Sequence, residues 1–138
     1  MMKSTSTEKK EFALFDYIDE KGNNDFKKWT ETLQKVERAK LNAKLDMLEQ
    51  HGSELFPELL TGTPTSGILK LRVKANNVQL RPMLCRGPIN HETEFTLLVG
   101  ATEKGDRLIP KDVDEEADQR KKIIIKNPNR RKDHERVS

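Results

Sequence analysis

Apolar and polar positions change period several times along the chain, and each change marks an expected element. From Glu11 onward, Phe12, Leu14 and Asp16 alternate with Ala13, Phe15 and Tyr17, which predicts a first strand closed by the Gly/Asn turn between Asp19 and Asn24. Behind an Asn/Asp cap, Phe26, Trp29 and Leu33 then recur at helical spacing. After a break near Gln34, a second helical stretch places Leu41, Leu45 and Leu48 on one face and ends at Gly52. Lys35, Arg38, Lys40 and Lys44 mostly fall on its other side, the ordinary solvated face of a surface helix. Leu55, Phe56, Leu59 and Leu60 form a short apolar cluster before a Gly/Pro/Thr-rich loop running to Gly67.

The clearest period-two pattern follows. Leu69, Leu71 and Val73 point one way, while Lys70, Arg72 and Lys74 point the other. Ala75-Asn76-Asn77 reads as a hairpin turn, with Val78, Leu80 and Leu84 continuing opposite. Pro82 lacks an amide donor and requires an edge, a bulge or a strand end. Beyond the Gly87-Pro88 loop, Glu94 to Val99 predicts a third strand. Pro110 stands near the start of a final helix, roughly 111–124, with acids at its N-terminal end and Arg120, Lys121 and Lys122 near its C-terminal end, as the helix dipole favours. The expected fold is α+β: an N-terminal strand, two helices, a three-stranded antiparallel meander and a C-terminal helix. It occupies residues 11–125, between a disordered start at 1–10 and a basic tail at 126–138.

Composition sets the scale. With 138 residues, 33% of them hydrophobic, and five Phe, one Trp and one Tyr, the chain can close one modest core as a single domain. No run approaches the roughly 20 apolar residues of a membrane helix, and no apolar signal segment opens the chain, so a cytoplasmic location is expected. The single cysteine, Cys85, excludes an intramolecular disulfide and reads as a small apolar side chain in a strand.

The net charge of +3 conceals segregation. Lys70, Arg72, Lys74, Arg81 and Arg86 fall within one hairpin that contains no acid, and Arg120 to Arg136 form a second basic block. Glu103 to Asp118 is predominantly acidic. Alternating Lys and Arg also keep an exposed sheet face soluble, but the absence of any acid across the hairpin points to a surface that binds phosphates. Catalytic signatures are missing: there is no Walker loop, no HExxH, no nucleophile elbow and no His/Cys ligand cluster. His51, His91 and His134 read as surface histidines, and Glu103 with Asp106 as a solvated acidic pair. The inventory suits metal-independent RNA cleavage, because the substrate brings its own 2'-hydroxyl nucleophile and cations can stabilise the charge that builds on phosphorus.

Three stretches carry a resemblance. Glu11 to Gly22, the paired helices from Phe26 to Gly52, and Gly67-Ile-Leu-Lys-Leu-Arg-Val73 resemble the phage-derived, HigB-like branch of the RelE/ParE toxin superfamily. Leu80 to Pro88, Phe95 to Lys104 and a helix containing Asp114 to Arg120 extend the likeness over residues 11–125. The resemblance implies a RelE-like sheet with two helices, a toxin of a type II toxin–antitoxin pair, ribosome-dependent mRNA cleavage and a cognate antitoxin protein, with no metal, small-molecule cofactor or membrane. It matches Arg72, Arg81 and Lys104 to basic residues of the family, and with the acid-free hairpin this places Arg72 and Arg81 at the scissile phosphate, Lys104 or Arg107 assisting, and Lys70, Lys74 and Arg86 on RNA. The sequence departs from the family pattern in having no aromatic residue after Phe95 and no histidine between His91 and His134. That departure favours the alternative of a non-catalytic phage or mobile-element regulator that binds nucleic acid or protein, and a ParE-like action on gyrase is a third alternative, since fold alone does not decide function.

Overall fold

In a computed structural model, residues 11–138 are described, and the start expected to be disordered, residues 1–10, lies outside them. Strand β1 (Ala13–Tyr17) leads into helices α1 (Asp25–Thr32) and α2 (Lys35–His51) and a 3-10 turn at Gly52–Leu55. Eight short strands follow: β2 (Leu60–Gly62), β3 (Leu69–Leu71), β4 (Val73–Ala75), β5 (Val78–Leu80), β6 (Met83–Arg86), β7 (Glu94–Val99), β8 (Thr102–Lys104) and β9 (Arg107–Ile109). Helix α3 (Val113–Lys126) and strand β10 (Arg131–Asp133) complete the chain.

Local chemistry explains the helix limits. The Asn24 side chain accepts the Lys27 amide at 3.0 Å to open α1, and Gln34 and Glu37 form a capping box at the start of α2. Gly52 ends α2 at φ 52°, and its amide donates to the Leu48 carbonyl. Asp114, Glu115 and Glu116 occupy the first turn of α3, where the helix dipole favours negative charge.

The strands form two sheets. One has six strands in the order β10-β1-β7-β6-β3-β2, with β1 and β7 parallel, and the other has four antiparallel strands in the order β4-β5-β8-β9. The single three-stranded meander expected from periodicity is therefore not what forms. Three successive chain segments each leave the larger sheet and enter the smaller one, or return, across a break at Arg72, at Arg81-Pro82 and at Gly100-Ala101. Pro82 helps to cause the break because it cannot donate to a ladder, and the β6–β7 register shifts between Met83 and Leu84 beside it. Backbone hydrogen bonds bridge the corner: Leu71 N to Pro82 O at 2.9 Å, Arg72 N to Leu59 O at 2.7 Å and Arg81 N to Ala101 O at 2.8 Å.

Both faces of the larger sheet are covered. Phe26 and Leu33 from the α1 side, with Leu41, Leu45 and Leu48 of α2, pack with Leu14, Leu71, Leu84, Phe95 and Leu97. On the opposite face Val113, Ala117 and Ile124 of α3 pack with Tyr17, Ile68, Met83, Cys85 and Leu98. The expectation that the face opposite α1 and α2 stands open and cationic is thus corrected for this sheet, because α3 occupies it. Arg120 anchors α3 there, bonding Asp25 of α1 and the Leu98 carbonyl of β7, both at 2.8 Å.

The segment expected as a basic tail is likewise part of the fold. β10 pairs antiparallel with β1, Phe15 opposite Asp133, and the Arg131 guanidinium lies 4.0 Å from the Phe15 ring centroid. Arg131 pairs with buried Glu94 at 2.7 Å, His134 with buried Asp16 at 2.8 Å, and Arg136 with Asp46 at 2.9 Å. No helix among the described residues is long and apolar enough to cross a membrane.

Cys85 lies in β6 under α3, and burial pushes its thiol from 9.0 up to about 12, outweighing the nearby Lys121 and Arg131. The folded protein is therefore expected to resist a thiol reagent near neutral pH and to react in urea, which a colorimetric thiol assay would measure. Because folding raises this pKa, the protonated thiol's contribution is complete below pH 9 and is lost as pH climbs toward 12.

Candidate functional site at the corner between the sheets

The corner gathers part of the cationic hairpin. The β4–β5 register, Val73 opposite Leu80, continues through the Leu71–Pro82 bond and sets Arg72 across from Arg81. One step along, Lys74 stands opposite Gln79, and Gln79 stands opposite Glu103 of β8. Strand alternation puts Arg72, Lys74, Gln79, Arg81 and Glu103 on one face, while Val73 and Leu80 turn into the core. Pro82 and the β6–β7 register shift beside it lie at the level where all three segments pass between the sheets.

Arg72 and Lys74 are exposed, so both can reach a polyanion. Arg81 is not placed in that way. It is only 6% exposed, and its Nε donates to Glu103 Oε1 at 2.9 Å, one terminal nitrogen to the Leu80 carbonyl at 3.0 Å and the other to Gln79 Oε1. Its direct contact with a scissile phosphate, as the resemblance implied, is corrected: the guanidinium is a buried brace that fixes Glu103. Glu103 remains a quarter exposed and is not the free, solvated acid that its neighbours in sequence suggested.

The other expected site residues lie elsewhere. Lys104 and Arg107 pair across the β8–β9 hairpin, and alternation turns Lys104 away from the face that carries Glu103. Both are exposed, and they do not converge on Arg72. Lys70 lies on β3 opposite Met83 and belongs to the larger sheet. Arg86 ends β6 with its guanidinium 5.7 Å from the Phe95 ring centroid, bonded to the Ser53 hydroxyl.

Glu103 is the residue that sequence reading missed as a site residue. The signal available was its location just past the third expected strand, Glu94 to Val99, where the next strand can offer one carboxylate to the cations of the acid-free hairpin. His134 was also misread as a surface histidine. Its side chain is 3% exposed, held by Asp16 and set edge-on to Phe26.

The corner therefore offers two accessible cations, a carboxylate oriented by a buried arginine and an amide side chain on one rigid face. That set can hold a phosphodiester and accept a proton beside it. Comparison with known proteins finds no matching family model, no matching characterised protein and no matching solved structure.

Proposed function

We propose that the chain is a RelE/HigB-like toxin of a type II toxin–antitoxin pair, an endoribonuclease acting on mRNA at the ribosome. The observation that carries this reading is the cross-strand placement of Arg72 and Arg81 with Glu103 beside them. Arg72 and Lys74 bind the phosphate and offset the charge that develops on it. Glu103, held by Arg81, takes the proton of the 2'-hydroxyl. The 2'-oxygen attacks phosphorus, the bond to the 5'-oxygen breaks and that oxygen takes a proton from water, leaving a 2',3'-cyclic phosphate. The carboxylate thus supplies the proton acceptor that a histidine or tyrosine would provide elsewhere. Chemistry of this kind depends on how the strand is held, and a ribosome can supply that positioning. A cognate antitoxin would block the same cationic face.

A second reading has its own observation. Lys104 and Arg107 face away from the corner and Arg81 is buried, so among the described residues only Arg72 and Lys74 are free to meet RNA there. On that reading the corner binds RNA or a partner without cutting.

Inducible expression in bacteria, with mRNA ends mapped during active translation, separates the two. The Arg72→Ala/Lys74→Ala double variant is the right control, since both side chains are exposed and their loss leaves the core intact. New cuts in translated frames that vanish in the variant are expected. Intact messages and normal growth, with folded protein confirmed, would replace cleavage by the binding reading.

A further inference from the structure

At the other end of β6, approximately 16 Å from Arg81 at the rise of an extended strand, a second group of cations meets. Arg86, His91 and Lys121 line one small cleft with Gly67 and Leu69. The five residues come from β6, the loop before β7, helix α3, the loop that leads into β3 and β3 itself. Strand β3 stops pairing with β6 at Leu84, so the edge of β6 is open at Arg86 and side chains from both faces of the sheet reach it.

The cleft is shaped by two glycines in the left-handed region. Gly67 has φ +82°, and Lys121 Nζ occupies the space that a Cβ would fill there. Gly87 has φ +74°, and the His91 ring lies over it, close enough that a Cβ would stand 3.1 Å from two ring atoms. Lys121 and His91 are thereby seated on bare backbone, while Arg86 rests against Phe95 and Ser53. Among the described residues, none of Arg86, His91 and Lys121 has a carboxylate within ion-pair distance, whereas Arg81, Arg120, Arg131 and Arg136 each have one. Three cationic or protonatable groups without a counter-charge, around one concavity, form a site for an anion.

Size limits what the anion is. The cleft holds about 150 Å³, well under the roughly 300–1,000 Å³ of pockets that enclose whole small molecules. A single tetrahedral oxyanion fits, with any attached group left outside. We propose that Arg86, His91 and Lys121 form a phosphate-binding site, distinct from the corner and independent of whether the corner cleaves RNA. The phosphate can belong to an RNA strand or be free in solution.

The test follows the His91 ring protons by NMR in the full chain at constant ionic strength, with His134 as an internal reference. One titration adds inorganic phosphate, and another adds a uridine decanucleotide carrying hydroxyls at both ends. Saturable movement of His91 is expected, weakened about tenfold or more in Lys121→Gln by loss of a charge-assisted contact. Movement with the oligonucleotide assigns the site to an RNA backbone, and movement with phosphate alone assigns it to a free or terminal phosphate. No saturable shift with either ligand, or equal affinity in Lys121→Gln, would overturn the proposal. Among the described residues Lys121 has no ion-pair partner, so its variant is expected to stay folded. Arg86→Gln provides a second variant from the other face.

Discussion

A chain truncated after Lys126 is expected to lose its cooperative unfolding transition, although the deleted residues read as a solvated basic tail. β10 would no longer pair with β1, and the His134 amide would no longer bond the Leu14 carbonyl. More costly are the acids left behind. Glu94 is 8% exposed and loses Arg131, while Asp16 is 2% exposed and loses His134. Removing one partner of a buried ion pair costs about 3–5 kcal/mol because the other charge remains out of water. That is a large share of the roughly 5–15 kcal/mol by which domains are stable. Arg131→Met keeps the β10 backbone while removing the cation that pairs with Glu94, together with its contacts to Phe15 and Thr96, and is expected to lower the stability measured by urea denaturation by about 3–5 kcal/mol. A truncated chain with an unchanged urea midpoint would show that the tail is an appendage after all.

The misreading of the tail has a physical origin. Charge counted along a window sees only neighbours, and Arg130 to Arg136 have few acids nearby. Their partners lie far back in the chain: Glu94 is 37 residues from Arg131, Asp46 is 90 from Arg136 and Asp16 is 118 from His134. The helices were legible for the opposite reason, since Asn24, Gln34 with Glu37, and Gly52 act within one turn of the boundaries they set. Strands β2, β8, β9 and β10 have three residues each, too few to display an alternation. Pro82 was recognisable as a disturbance, but only the fold reveals that Arg72 and Ala101 break at the same level and turn one meander into two sheets.

The candidate site was legible in half. Period-two alternation placed Arg72 and Lys74 on the outward face of their strand, and there they stand. Alternation within one strand says nothing about the next strand but one, so it could not reveal that β8 brings Glu103 against Arg81. The same limit governs Lys104. One residue from Glu103, it turns to the opposite face, which the sequence alone cannot separate without the β5–β8 register. The cations are therefore not interchangeable members of one patch. Arg81 organises the corner from beneath, Arg72 and Lys74 present charge above it, and Arg86 with Lys121 serves a separate cleft.

Glu103→Gln tests that division of labour most sharply. Glutamine keeps an oxygen acceptor for Arg81 Nε, and the bonds from Arg81 to Gln79 and the Leu80 carbonyl are untouched. It removes the ability to take a proton. If Glu103 is the base, ribosome-dependent cleavage is expected to fall by about 10²–10⁴-fold, the range typical of a positioned proton acceptor, while RNA binding survives. Cut frequency in a translating extract measures the first effect, and retention of a labelled oligonucleotide measures the second. On the same reading Arg72→Ala is expected to behave differently, weakening binding and cleavage together, because a contact with phosphate would be made before the transition state as well as in it. A Glu103→Gln protein that still cuts at the normal rate, with its melting transition intact, would reduce the carboxylate to a counter-ion for Arg81. A fall in binding without a selective fall in cleavage would make the corner a docking face rather than a reaction centre. The decisive quantity is the ratio of the two losses, since a fold defect would depress both and only a missing proton acceptor would depress one.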